Sequence, residues 1–290
     1  MNARNGEENG KNGIKPVLPV LLTASVSTRG MKGACFSDKE REDMYIETLG
    51  VYCREILAKD PARKIVFADN SGWDLKRICE SVPEQFRSRI EFISLDPCDY
   101  DNSKGKGYNE SILMTQAISK SAAIGERGAF FKVTGRYPVY NLAHFLAAAE
   151  SHLGRGGRFY GDIKDHGLYD FIFKTLLRKP ERTWNGHAAY TVLFAATVDF
   201  YMNELWPLHV QCNDYEGRCI EDVWFGVLGK YRGVKDCGIS LRFDREPVCG
   251  GLQGSSGDTI SFSKDNASLK SRIMRFAGNF IRTVTPWFWF

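Results

Sequence analysis

From Val17 onward the chain repeats one pattern: a short β-rich apolar run, a loop of polar or small residues, then a stretch with apolar residues at helical spacing. Such alternation predicts an α/β fold, a mostly parallel central sheet with helices on both faces. The first strand is expected over 17–26. A helix then opens at Ser37, where Glu40 three residues later completes a capping box, and Tyr45, Leu49, Tyr52 and Ile56 mark its buried stripe. Further strands are expected over 64–68, 90–95 and 130–134. Helices are expected around Leu75, Ile78, Cys79 and Val82, over 109–124 and over 141–153. Past residue 155 the order is less regular, with strands over 158–163 and 191–200, helices over 169–177 and 221–228, and a Gly- and Ser-rich loop over 249–258.

Residues 1–15 hold almost nothing apolar to offset ordering entropy, so a disordered leader is expected before one domain over 16–263. The remaining segment, 264–290, differs in charge: Lys264, Lys270, Arg272, Arg275 and Arg282 stand against Asp265 alone. The whole chain of 290 residues has 39 Lys and Arg against 35 Asp and Glu, so the first 263 balance at 34 against 34. A neutral body excludes a general nucleic-acid binder, which needs a broad basic face. With 43% hydrophobic and 26% charged residues, fibrous and wholly disordered classes are excluded as well. No run reaches the roughly 18 apolar residues of a membrane-spanning helix. The stretch 17–26 is short and holds Pro19, and Glu7 and Glu8 before it do not suit a signal peptide. Eight cysteines, with no C-x-x-C pair and no zinc spacing, read as reduced, mostly buried side chains of a cytoplasmic protein.

In an open parallel sheet the loops at the carboxyl ends of the strands converge on one crevice, and ligands bind there. Those loops hold Thr23-Ala24-Ser25, Asp69-Asn70-Ser71, the segment from Lys104 to Glu110, and Thr134-Gly135-Arg136-Tyr137. Lys104, Gly105, Lys106 and Gly107 stand just before a helix start, where amides and ammonium groups together favour an anion such as a diphosphate. The alternative is a flexible solvated loop. Period-two alternation puts Lys132, Thr134 and Arg136 on one side of their strand, with Gly135 opening space beside them. A structural salt bridge is the alternative for these cations, because charge on a buried strand is costly unless paired or used.

The order of these elements, with Phe-Lys-Val-Thr-Gly-Arg-Tyr on the fourth strand, resembles nucleotide-sugar glycosyltransferases of the GT-A type, particularly those of bacterial surface polysaccharide synthesis, over about 17–230. The resemblance implies a GT-A-like, Rossmann-related fold. It puts Thr23, Ser25, Asp69 and Asn70 near base and ribose, and makes the segment from Lys104 to Glu110 face the donor. It also implies a D-x-D at the end of the fourth strand, holding a divalent cation on the diphosphate. Here Thr134-Gly135-Arg136 stands in that place, so Arg136, helped by Lys132 or by Lys104 and Lys106, is expected to replace the metal, and no cofactor is favoured. A literal D-x-D at Asp99-Tyr100-Asp101 lies too early, and the acidic loop from Asp162 to Asp165 is weaker still. Glu221 and Asp222 match the acidic pair that supplies a catalytic base in such enzymes; the alternative is that they complement a helix dipole. The histidines at 144, 152, 166, 187 and 209 show no metal-binding spacing, and no G-x-S-x-G or Cys/His arrangement suggests a hydrolase.

From Leu269, apolar residues recur at Ile273, Phe276, Ala277, Phe280, Ile281 and Val284 among the basic residues, and Trp287-Phe288-Trp289-Phe290 follow. This basic amphipathic helix either packs on the domain or docks on an anionic membrane surface. Together these features predict a glycosyltransferase, peripheral at the cytoplasmic face of a membrane. It would move a sugar from a nucleotide sugar to a glycan or lipid-linked acceptor. Two alternatives stand beside it: a nucleotidyltransferase, for which Ser27 to Gly33 is an imperfect glycine-rich basic loop, and a non-catalytic membrane-associated binding protein.

Overall fold

The computed structural model describes residues 17–32, 34–165, 187–252 and 269–284. The expected leader, the helix over 169–177 and the residues from Thr285 to Phe290 lie outside them. Four parallel strands occur where the apolar runs predict them: β1 (Val20–Ala24), β2 (Ile65–Asp69), β3 (Ile90–Ser94) and β4 (Ala129–Thr134). The first two helices are α1 (Asp38–Tyr52), capped by the Ser37–Glu40 box, and α2 (Lys76–Ser81). A single turn, α3 (Glu84–Arg87), precedes β3, and α4 (Lys106–Lys120) follows it.

The helix expected over 109–124 starts three residues earlier and breaks at Ser121. There the backbone turns extended and the Ser121 hydroxyl caps a new helix, α5 (Ala122–Arg127), while Glu91 of β3 accepts from both the Ser121 hydroxyl and the Ala122 amide. After β4 comes α6 (Leu142–Gly154).

The run expected as one strand over 158–163 splits into β5 (Phe159–Tyr160) and β6 (Ile163–Asp165), which belong to different sheets. Between them a side chain at Gly161 would meet the Phe159 ring at 2.6 Å, and Asp162 is buried. Next come β7 (His187–Ala189), paired with β6, and β8 (Leu193–Thr197), which turns helical at Val198 where Thr197 caps the turn. The remaining elements are α7 (Ile220–Leu228), β9 (Ile239–Ser240) and α8 (Leu269–Val284).

The main sheet has the order β3-β2-β1-β4-β8-β5-β9. Among the described residues β8 alone runs against the other six strands, antiparallel to both β4 and β5. Alternate side chains feed two cores. Leu22, Phe67, Phe131 and Val133 pack with α1, α2 and α6 on one face. On the other face Leu21, Val66, Phe130 and Phe194 pack with α4, α5 and α7. Lys132 falls on this second face, between the apolar strand and α4. The seven described cysteines form no disulfide; Cys53, Cys212 and Cys249 are buried, whereas Cys79, Cys219 and Cys237 are partly so and Cys35 is exposed.

Candidate active site

Strand β1 lies between β2 and β4 and is parallel to both; along the sheet the chain leaves β1 toward β2 on one side and β4 toward β5 on the other, while α1 and α6 pack on the same face. The strand order thus reverses between β1 and β4, and a cleft lies at their carboxyl ends. About 640 Å³ of space, open solvent included, lies within it. Thr23 and Ala24 of β1 with Ser25 just after it, Thr134 of β4 with Arg136 in the turn that follows, and Lys106, Asn109 and Glu110 of α4 line it together with Arg41, Tyr45 and Tyr100.

Three cations face this space. Arg136 stacks its guanidinium over the Tyr137 ring, 4.8 Å from the centroid, and Nη2 donates to the Tyr137 hydroxyl at 2.7 Å. Its Nε is buried without a hydrogen-bond partner. Burial works against this charge, yet Tyr137, Tyr45 and the hydrogen bond to Tyr137 outweigh it and raise the pKa. Burial and then the Arg136 guanidinium lower the pKa of Lys106, so these two cations press on one another. Arg41 is buried and holds the turn after β1, its Nε donating to the carbonyls of Ser25 at 2.9 Å and Val26 at 3.0 Å. Burial pushes the Tyr100 phenol up to about 12, so it remains a donor.

Glu110 is the only carboxylate among the described residues that lines the cleft. Its Oε1 accepts from Lys132 Nζ at 2.7 Å and from the Thr23 hydroxyl at 3.0 Å. Lys132 is fully buried, and its other protons go to Thr134 Oγ1 at 3.0 Å and the Thr191 carbonyl at 2.7 Å. Every proton of this ammonium is spoken for. The structure places Lys132 in the salt bridge with Glu110, behind the cleft and not among its lining residues.

The glycine segment before α4 does something other than cradle a ligand. Asp214 reaches across from the turn before α7 and takes the helix-end amides itself: Lys106 N lies 2.6 Å and Gly107 N 3.3 Å from its Oδ2. Gly105, at φ +87°, is needed because a Cβ there would meet the Asp214 side chain at 2.7 Å; at Gly107 it would meet Ile220 at 2.9 Å. The expected diphosphate site at this helix end is thus filled by an internal carboxylate. Lys104 does not line the cleft, and only the side chain of Lys106 reaches it. Gly135 is likewise a packing requirement, since a Cβ would come 2.8 Å from the Thr23 carbonyl oxygen.

Asp69 and Asn70 are also spent on the fold. Asp69 is fully buried and accepts from the amides of Val26 and Ser71 and from the Ser71 hydroxyl. Asn70 Oδ1 accepts from the Ser25 hydroxyl at 2.6 Å. These bonds shape the wall that Ser25 presents to the cleft, without either residue lining it.

Glu221 and Asp222 stand on the first turn of α7, outside the cleft lining. The Thr191 hydroxyl donates to Glu221 Oε1 at 3.0 Å, and burial, with the charge of Glu110 adding to it, raises the Glu221 pKa. Through Thr191, Glu221 is joined to Lys132 and so to Glu110. In the early D-x-D, Asp101 accepts from the Ser103 amide and hydroxyl and Asp99 is bonded by Gln116, leaving Tyr100 alone to face the cleft. Asp162 pairs with Arg282, and Asp165 with His187 and Arg232.

Sequence reasoning missed Arg41 and Tyr100 as cleft residues, whereas Asn109 lay within the segment from Lys104 to Glu110 expected to face the donor. For Arg41 a signal existed: it lies one turn before Tyr45 on the stripe that continues through Leu49, so a cation occupied the buried face of α1. Tyr45 was legible only as core.

No family model matches the chain, and no curated protein sequence matches it. Among solved structures it is similar to the galactosyltransferase LgtC in complex with donor and acceptor sugar analogues, at 10% identity over 79% of this chain and 74% of that one, with a TM-score of 0.47. Core-mannan synthase A from Aspergillus fumigatus, in an Mn/GDP form, is 11% identical over 76% and 71%, with a TM-score of 0.40. The apo form of mouse xyloside xylosyltransferase 1 is 12% identical over 78% and 84%, with a TM-score of 0.41. At this distance the chemistry of this chain rests on its own residues.

Proposed function

We propose that the chain is a glycosyltransferase that takes a nucleoside diphosphate sugar in the cleft between β1 and β4. The observation that carries this reading is Arg136: a guanidinium at the switch point, with a buried, unpartnered Nε and a second cation, Lys106, crowded against it. An anionic ligand relieves both costs at once. Transfer breaks the bond between the sugar's anomeric carbon and the diphosphate oxygen and forms one to the oxygen of an acceptor hydroxyl, whose proton passes to a phosphate oxygen of the departing diphosphate. The diphosphate leaves with the bonding electron pair, and Arg136 with Lys106 neutralises it as it departs. Glu110, fixed by Lys132 and Thr23, lines the same cleft, and Glu221 is joined to it through Thr191 and Lys132.

A divalent cation does not fit these residues. The position of the expected D-x-D holds Thr134 and Arg136, the early D-x-D faces away, and the one lining carboxylate is already paired with an ammonium. We therefore assign leaving-group stabilisation to protein cations. Nucleotidyl transfer is less well supported, because Arg29 and Lys32 of the loop after β1 are exposed and only Thr28, Met31 and Ala34 of that loop line the cleft. For the acceptor we propose a glycan or lipid-linked glycan of surface polysaccharide synthesis, reached from the cytoplasm.

The test is a thermal-shift screen of UDP, GDP, CMP and dTDP sugars, followed by product analysis with whichever binds. Stabilisation by a nucleotide sugar that disappears in Arg136→Ala is the expected result. If no nucleotide stabilises the wild-type protein, the reading fails and a non-catalytic protein remains; if pyrophosphate is released from a nucleoside triphosphate instead, it is a nucleotidyltransferase.

A further inference from the structure

Helix α8 sits on the body by its polar side. Arg282 is buried and its Nη2 lies 2.9 Å from Oδ2 of buried Asp162, while Nη1 donates to Asp162 Oδ1 at 3.2 Å and the Phe243 carbonyl at 3.1 Å. Arg242 donates to the Arg282 carbonyl at 3.1 Å, and the Glu246 amide donates to Asn279 Oδ1 at 3.0 Å. Gly278 is buried between them. These contacts settle which side of the helix meets the domain.

The apolar stripe points the other way. Ile273 is 57% exposed, Phe276 75%, Phe280 58% and Val284 46%, and their spacing of three and four residues puts them in one line along the helix. An amphipathic helix of a lone domain does the reverse, burying its apolar stripe against the core. Here a buried ion pair fixes the helix in the orientation that leaves the stripe uncovered.

We propose that this stripe is a docking surface for an anionic lipid bilayer, with α8 lying in the interface plane. Charge decides the occupant. Besides Arg282, which is spent on Asp162, residues 264–290 hold four basic residues against one acidic, whereas residues 1–263 balance at 34 against 34. A second copy of this chain would set that positive segment against itself, while anionic headgroups attract it. The chain continues past the stripe with Trp287-Phe288-Trp289-Phe290, residue types that favour the headgroup layer. Among the described residues no helix is long and apolar enough to cross a membrane, so the contact lies on the bilayer.

The full chain is sedimented with vesicles of phosphatidylcholine alone and with phosphatidylglycerol added. Wild-type protein is expected to bind the anionic vesicles and to release as salt rises. Phe276→Ser combined with Phe280→Ser is expected to bind at least about tenfold less, from the lost apolar insertion, with an unchanged Tm in lipid-free buffer because both rings are exposed. Equal binding by the variant, or equal binding of wild type to neutral vesicles, overturns the proposal. So does a wild-type dimer in lipid-free solution that the double variant dissolves, which would assign the stripe to a second copy.

Discussion

Lys132 Nζ lies 2.7 Å from Glu110 Oε1, joining the interior of β4 to the wall of the cleft. The lysine is fully buried and the glutamate side chain is 23% exposed, so the two partners do not lose equally when the pair is broken. Lys132→Met leaves Glu110 a charge without its partner and also strips a donor from Thr191. The expected loss is about 3 kcal/mol, the lower end for a broken buried pair because Glu110 retains some water. Adding Glu110→Gln should recover at least about 1 kcal/mol of that, measured by urea unfolding in a double-mutant cycle. Simple additivity of the two substitutions would mean the pair contributes no coupling.

Arg136→Ala is expected to depress kcat by about 100-fold or more, the scale of removing one transition-state donor. Arg136→Lys should not restore it, since an ammonium reproduces neither the stacking on Tyr137 nor the planar fork. Steady-state kinetics on the sugar donor identified by the binding screen measure both. Near-normal turnover in the alanine variant would remove Arg136 from the mechanism.

Activity is expected to persist in EDTA, because the cations that meet the diphosphate belong to Arg136 and Lys106. Loss of turnover on chelation, restored by Mg²⁺ or Mn²⁺, would return the role to a metal and require Asp99 or Asp101 to turn toward the cleft.

Glu221 gives a pH-dependent signature. Burial raises its folded pKa above the unfolded value, so between the two the folded state holds more protons and stability falls as pH rises. Above the folded value the cost is fully present; below about pH 4 both states are protonated and it vanishes. Glu221→Gln keeps an acceptor for the Thr191 hydroxyl and removes the charge. Its Tm should exceed that of wild type at pH 7 and converge with it in acid. A difference that is constant across pH would show that ionisation is not its cause.

Much of the framework was legible because its signals are local. The capping box at Ser37, the stripe from Tyr45 to Leu49 and the apolar runs of β1 to β4 each report their own element. The reversal of β8 was not legible, because a strand's direction is set by its neighbours and not by its residues. In the cleft, Thr23, Ser25, Lys106, Glu110, Thr134 and Arg136 were found from the loops that hold them. Asp69, Asn70, Lys104, Lys132, Glu221 and Asp222 came from the same kind of loop or helix start and do not line it. Lys132, Glu221 and Asp69 are held behind the wall by partners distant in sequence, Thr191 for the first two and Val26 for Asp69. A polar residue near a crevice can serve a ligand or the backbone, and only the tertiary contact decides. Asp214 shows this best: the anion expected at the head of α4 is there, supplied by the chain itself.

The place of β8 between β4 and β5 also sets an order of assembly. Strands β3, β2, β1 and β4 can pair as soon as residue 134 has been made, but the outer side of β4 then offers its amides and carbonyls to any passing strand until residues 193–197 arrive. Among the described residues β5 pairs only with β8 and β9, so it too waits for later chain. The carboxyl-terminal part of the sheet therefore cannot be completed before β8 has been made, and a fragment ending before Leu193 is expected to keep an unpaired β4 flank and to aggregate through it.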